Sequence, residues 1–314
     1  MAYVVCPSNR RDFLRTLAAG AAGLSFSRLS SAQTPITATK LADNYIHIAG
    51  AGSNVLLVIP PGGGPDGALL VDGGSPEHSA DFLKVVAEQS GGRKVQTLFN
   101  THWHLESTGS NDALGNAGAT IIAHENTKLW MGTDIICKWQ NKTFQPRAKE
   151  ALPNQTFYTT GKMTFGKERV EYGYLGQAHT DGDIYVFFPG PNILMTGDVF
   201  AVGHYPILDY TTGGWIGGLA DACKTLLNTS DAQTRIIPGI GPVQARADLQ
   251  AQADMCATMR ATFVGLMRKG MGPKDMLAAA PTKEFDAKWG DPELFITNAY
   301  PGLWGHVREL GGIV

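Results

Sequence analysis

The chain reads as an α/β protein in which two mixed β-sheets pack face to face with helices on the outside. Three observations carry this. Apolar runs of strand length alternate with segments of helical period. That alternation occurs twice, from Asn54 to Ala123 and again from Val170 to Pro238, with a less regular stretch between. Several of the runs end in Asp, His and Gly, and in open sheets ligands gather outside the carboxyl ends of strands.

The amino end stands apart. Asn9-Arg10-Arg11-Asp12-Phe13-Leu14-Arg15 resembles a twin-arginine export motif, a small apolar run follows from Thr16 to Phe26, and Ser30-Ser31-Ala32 offers small residues for cleavage. Residues 1–32 are therefore expected to be a twin-arginine-type signal peptide, handed to the twin-arginine export machinery of a bacterium and removed, leaving a periplasmic or secreted protein. The apolar run is too short for a permanent membrane span. Cleavage would remove Cys6 and leave Cys137, Cys223 and Cys256. Their irregular spacing, with no Cys-x-x-Cys, reads as buried small hydrophobes with at most one disulfide. A net charge of −2 without a long charge run gives no sign of a nucleic-acid surface, and 314 residues with 43% hydrophobic give ample length for a real core.

The mature chain begins with a polar lead. Asn54–Ile59 is a buried-strand run, residues 60–66 a Gly/Pro turn, and Ala68–Gly74 the next strand, ending in Asp72 and two glycines. Pro76–Gln89 has Phe82, Val85 and Val86 on one face and a proline in its first turn, which predicts an amphipathic helix. Val95–Phe99 is a strand, Asp112–Ala117 a short helix and Ala119–Ala123 a strand. Residues 125–168 hold Trp130, Trp139 and Phe144 among lysines and arginines, with no strand-length apolar run before Val170. A surface helix pair packed by its tryptophans is the expectation there, and a flap over the site the alternative. Val170–Leu175, Asp183–Phe188, Ile193–Met195 and Arg235–Pro238 read as strands, and Trp215–Leu227 and Ala245–Lys269 as helices. The tail from 272 is expected to be helical, with Phe285, Trp289, Phe295, Tyr300 and Trp304. The domains expected are 33–270 as the catalytic unit and 271–314 as a helical extension packed on it.

The chemistry gathers at strand ends. Asn100-Thr101-His102-Trp103-His104 follows the strand Val95–Phe99 and places two imidazoles at i and i+2, where a loop leaving a strand can converge both on one ion. Gly176-Gln177-Ala178-His179-Thr180-Asp181-Gly182-Asp183 puts a third histidine before a strand. Met195-Thr196-Gly197-Asp198 and Val71-Asp72-Gly73-Gly74 end strands in a carboxylate beside glycine, where backbone can approach an ion closely.

Taken in chain order, from Val71-Asp72-Gly73-Gly74 through Asn100-Thr101-His102-Trp103-His104 and Ala178-His179-Thr180-Asp181-Gly182-Asp183 to Thr196-Gly197-Asp198, these four motifs resemble the metallo-β-lactamase fold superfamily over about Asn54 to Pro242. The resemblance implies an αβ/βα sandwich with a metal site on the rim where the sheets meet. It implies that His102, His104 and His179 are the imidazoles of the first metal position, that Asp198 is the carboxylate that normally bridges two metals, and that Asp72 steadies the loop carrying His102. The departures fall on one side. The usual motif His-x-His-x-Asp-His has Glu106 and Ser107 in its last two places, and the usual Pro-Gly-His-Gly-Pro has Ile240 in place of its imidazole. All three changes hit ligands that serve only the second metal, which predicts a mononuclear Zn2+ site with an open position.

The reaction expected is hydrolysis of an acyl bond (ester, thioester, lactone or amide) in a small-molecule substrate by a metal-activated water. Asp198 and Glu106 are the candidates for orienting the nucleophile and moving its proton; Ser107 is expected to make hydrogen bonds and Ile240 to form an apolar wall. His204 follows the Asp198 loop closely enough to line the pocket, whereas His47, His78, His124 and His306 read as structural. Two other classes stand beside this one: a mononuclear Fe2+ oxygenase of the persulfide dioxygenase type, for which two imidazoles and Asp198 would form the facial triad, and a non-catalytic binding protein with a degenerate site.

Overall fold

The computed structural model describes residues 35–60 and 67–311; the expected signal peptide and most of the turn at 60–66 lie outside them. Two mixed sheets pack face to face. The first runs in the order β1-β2-β3-β4-β5-β6-β9: β1 (Thr37–Ala42), β2 (Tyr45–Ala49), β3 (Val55–Val58), β4 (Ala68–Val71), β5 (Val95–Phe99), β6 (Thr120–His124) and β9 (Gln155–Phe157). Its strands are antiparallel from β1 to β4 and parallel from β4 to β9. The second has the order β10-β11-β12-β13-β14: β10 (Thr160–Phe165), β11 (Glu168–Tyr174), β12 (Ile184–Phe188), β13 (Ile193–Gly197) and β14 (Arg235–Pro238). Only its last pair, β13 with β14, is parallel.

The apolar runs are continuous because both faces of the central strands are covered. Leu56, Val58, Leu69 and Val71 point into the space between the sheets, against Val170, Ile184, Val186 and Met195. Their neighbours Val55, Leu57, Ala68 and Leu70 point the other way, onto Phe82 and Val86 of α1 (Ser79–Ser90). Two short helices follow β5, α2 (Leu105–Thr108) and α3 (Asn111–Asn116), and α4 (Glu125–Met131) follows β6. On the outer face of the second sheet lie α5 (Ile216–Thr229) and α6 (Arg246–Arg268). The tail forms α7 (Pro273–Ala278), α8 (Asp286–Trp289) and α9 (Glu293–Gly305). Phe295, Ile296 and Leu303 of α9 share one buried cluster with Leu219 of α5 and Phe263 of α6.

Two expectations are corrected here. The polar lead before Asn54 is a β-hairpin, β1 with β2. β1 is an edge strand and mostly exposed, so it carries no apolar run to betray it. The stretch 125–168 is not a helix pair. It holds one short helix, a hairpin of β7 (Ile135–Cys137) and β8 (Lys142–Phe144), and two more strands, β9 and β10. β10 is again an edge, alternating half-buried and exposed residues. Edge strands bury one face at most, so the signal is alternation over five or six residues rather than hydrophobicity.

Cys137, Cys223 and Cys256 are buried free thiols. Among the described residues no helix is long and apolar enough to cross a membrane. The other histidines act locally. His124 caps α4, its Nδ1 accepting from the Asn126 N–H, and stacks on Tyr174 at 3.8 Å. His306 stacks on Trp215, His78 meets the Ser75 hydroxyl, and His47 is buried against Asn54.

Candidate metal centre

The site forms where the loop after β5 meets the ends of β11, β13 and β14. The Thr101 carbonyl accepts from the Ile184 N–H of β12 at 2.9 Å, so the histidine loop of one sheet is fastened to the other. Asp72, with φ +65°, turns the chain out of β4. Its Oδ1 accepts from the Thr101 N–H and its Oδ2 from the Thr101 hydroxyl, both at 2.8 Å.

These bonds settle which nitrogen of each ring faces the centre. The one hydroxyl proton of Thr101 is given to Asp72, so at 3.0 Å the Thr101 oxygen accepts from His102 Nδ1–H. His102 Nε2 is then the free lone pair. His179 Nδ1–H donates to the Ile207 carbonyl at 2.8 Å, again leaving Nε2. His104 is turned the other way: Nε2–H donates to Asp209 Oδ2 at 3.2 Å and Nδ1 lies 3.1 Å from His179 Nε2. A ring nitrogen fixed by a partner on its far side is how a protein selects the tautomer of a ligating histidine.

His102, His104, His179 and Asp198 thus present four ligand atoms that all lie within 4.8 Å of one another. Asp198 Oδ2 stands 4.0 Å from His102 Nε2 and 3.9 Å from His179 Nε2. His102 Nε2 and Asp198 Oδ1 are buried and have no hydrogen-bond partner. Buried polar atoms are seldom left unpaired, and three imidazoles with a carboxylate are a zinc donor set. The residues present fit a metal ion.

Asp198 reaches the centre because Gly239 makes room. A Cβ at Gly239 would lie 1.7 Å from Asp198 Oδ1. Gly239→Ala must therefore push the carboxylate aside, and we expect metal affinity to drop by about tenfold or more, measured by competition with a chromogenic chelator. An unchanged affinity would show that the carboxylate does not depend on this gap.

The electrostatics centre on His104. Burial alone would lower its pKa, but hydrogen bonds to Asp209 and Glu106 outweigh burial and carry it up to about 10. Glu106 Oε1 is 3.3 Å from Nδ1. Burial would raise both carboxyls, yet the imidazolium between them holds Glu106 and Asp209 well below the usual carboxylate range. In the metal-free protein His104 is therefore cationic at pH 7, and the proton on Nδ1 must leave when that atom ligates. We expect metal uptake to release a proton and to strengthen as pH rises from 6 toward 10. Calorimetry in buffers of different ionisation enthalpy measures this; proton-neutral binding at pH 7 would contradict it.

Two buried carboxyls brace the surroundings. Burial pushes Asp72 well above its ordinary value, against the Thr101 bonds. It pushes Asp183 up to about 6, although the N–H groups of His179 and Thr180 donate to it at 2.6 and 2.8 Å.

The remaining sequence candidates divide. His204 and Ile240 line a recess with Asp198, Phe200, Ala201 and Ile207, and Ile240 is half exposed. Ser107 makes its hydrogen bonds through the backbone, to His104 and Gly73, while its buried hydroxyl has no partner among the described residues.

Sequence reasoning missed Asp209 and Trp139. Asp209 is fully buried and accepts from Thr212 Oγ1 at 2.6 Å and Trp139 Nε1 at 2.8 Å as well as from His104. Its only sequence signal is an acid ahead of Tyr-Thr-Thr-Gly-Gly, which reads as a turn. Trp139 lies between β7 and β8, so this hairpin is tied to the centre through Asp209.

The Metallo-beta-lactamase superfamily model matches residues 49–246, more than half of the chain. Among solved structures, the chain is similar to a metallo-beta-lactamase from Pontibacter korlensis, with a TM-score of 0.55 and 19% identity over 71% of this chain and 99% of that one. It is similar to the DIM-1 metallo-beta-lactamase with a TM-score of 0.56 and 19% identity, covering 72% of this chain and 99% of that one. The sec-alkyl sulfatase PisA1 superposes over 87% of this chain and 50% of its own, with a TM-score of 0.65 and 14% identity.

Proposed function

Because this chain belongs to the metallo-beta-lactamase superfamily, we propose that it is a hydrolase of an acyl bond in a small molecule, working at a single zinc ion. The observation that carries this reading is the donor set. Three imidazole nitrogens and a carboxylate oxygen converge, while the three places that would serve a second ion hold Glu106, Ser107 and Ile240. An alkyl side chain cannot ligate, and a hydroxyl is a poor zinc ligand.

His102 Nε2, His104 Nδ1, His179 Nε2 and Asp198 would hold the ion. A bound zinc ion supplies Lewis acidity, which brings the pKa of a water to about 7 and polarises a carbonyl. The chain supplies the rest. The Asp198 carboxylate, whose Oδ2 lies 4.0 and 3.9 Å from the His102 and His179 Nε2 atoms, is the group that would orient the attacking water and take its proton. Glu106 is about one third exposed at the mouth of the site beside His104; once the His104 proton that holds its carboxyl low has left on metal binding, it can pass a proton to solvent or to the leaving group. Ile240, Phe200 and Ile207 wall the recess with alkyl and aryl groups, which favours an apolar group next to the scissile bond and keeps bulk water off it.

Elemental analysis of protein isolated without added metal, followed by assay against an aryl ester, a thioester and a lactone, tests the proposal. One zinc per chain and turnover of at least one acyl substrate are expected. Two ions per chain overturn the single-metal site, and iron with oxygen uptake on a persulfide replaces hydrolysis by oxygenation.

A further inference from the structure

A second cavity lies under the β7–β8 hairpin, on the far side of the Trp103 indole from the metal ligands. It encloses about 180 Å³, slightly more than the ~150 Å³ that accepts a benzene ring in an apolar core. Trp103, Met131, Ile135 and Phe144 form its apolar lining. The first three are buried and make a cluster of their own. The wall toward the metal centre is fixed: the Trp103 ring packs edge-on at 4.4 Å from His104 and 5.0 Å from Phe144, and its Nε1–H donates to Thr212.

The charged groups of this cavity are cationic, beside the neutral Thr143 and Gln145. Lys142 lines it and holds its ammonium 4.8 Å from the centroid of the Phe144 ring. Arg147 lines it too. One guanidinium nitrogen, Nη2, is 2.6 Å from Asp112 Oδ2. The other, Nη1, is buried and has no acceptor. A guanidinium nitrogen removed from water without an acceptor is costly, and a carboxylate is the acceptor its geometry suits. Apolar walls around one ring's volume, with two cations and a spare donor, describe a receptor for an amphipathic anion.

We infer that this cavity binds a small monocarboxylate carrying one aromatic ring or a short alkyl chain, with the carboxylate on Arg147 and Lys142 and the apolar group against Trp103 and Phe144. The site is separate from the metal centre and does not rest on the hydrolase reading. Trp103 and Trp130 line it, so occupancy is expected to alter tryptophan emission.

The test titrates phenylacetate and its neutral isostere phenylacetamide into the zinc-reconstituted protein, by calorimetry and tryptophan fluorescence. Phenylacetate is expected to bind at least tenfold more tightly. Arg147→Met is expected to erase that preference while apolar binding persists. Lys142→Met changes only an exposed side chain, is expected to reduce the preference severalfold, and serves if the arginine variant does not fold. The His102→Ala protein, stripped of metal, is expected to bind phenylacetate unchanged. Equal affinity for acid and amide, or no binding of either, overturns the inference. So does a preference that survives both cation substitutions, or phenylacetate binding that disappears with His102→Ala, which would put the carboxylate on the metal.

Discussion

His102→Ala is expected to leave a protein that carries almost no tightly bound metal and turns over no acyl substrate. The reason is geometric. His102 Nε2 is a buried lone pair with no protein partner, aimed at a point shared with three other donors. Removing it leaves two imidazoles and one carboxylate, and opens space where a rigid ligand stood. The parent protein should gain about 4 kcal/mol of stability at zinc a thousandfold above its dissociation constant. At roughly 2–4 °C per kcal/mol for a domain of this size, that is a rise in melting temperature of about 8–16 °C. The alanine variant should show almost none of it. Melting curves with and without zinc measure this directly, and a variant that still melts as high with zinc as its parent would remove His102 from the ligand set.

Asp209→Ala is expected to cost nearly as much by a different route, since Asp209 touches no ion. It accepts from His104 Nε2–H, Thr212 Oγ1 and Trp139 Nε1–H. Cutting the carboxylate away frees the His104 ring to rotate and leaves four donors, the Thr211 N–H included, without their acceptor. Loss of a carboxylate that orients a ligating histidine typically weakens metal binding by about 10–100-fold. Removing one member of a buried charged pair destabilises by about 3–5 kcal/mol. Asp209→Asn separates the two effects. It keeps the shape and an acceptor oxygen, so most of the stability should return while metal affinity stays below the parent. Chelator competition together with chemical denaturation reads both quantities. Parent-like metal affinity in Asp209→Ala would show that His104 is oriented by its packing alone.

What was legible in the chain follows from how each element is buried. β3 and β4 are covered on both faces, so they are written as unbroken apolar runs that local reading finds, and β5 is nearly so, with only Gln96 exposed. β1 and β10 are edges with polar faces, and β7 and β8 span three residues each, too few for any period to show. The same contrast holds at the site. Ligands within one strand-end loop, such as His102 and His104, announce themselves by spacing. Asp209 pairs with a histidine 105 residues away, and Trp139 joins it from another loop again.

By itself, then, the sequence determined the layered α/β class, the strand ends that carry the donors, and the presence of Glu106, Ser107 and Ile240 at places where the family motif has other residues. It could do so because hydrophobic period, turn chemistry and side-chain identity are local properties. Only the tertiary structure decided which nitrogen of each imidazole faces the centre, that Asp209 and Trp139 brace His104, and that Arg147 stands beside an aromatic cavity with a donor to spare. Those depend on hydrogen bonds and packing between segments far apart in the chain, which exist only once the two sheets have closed on each other.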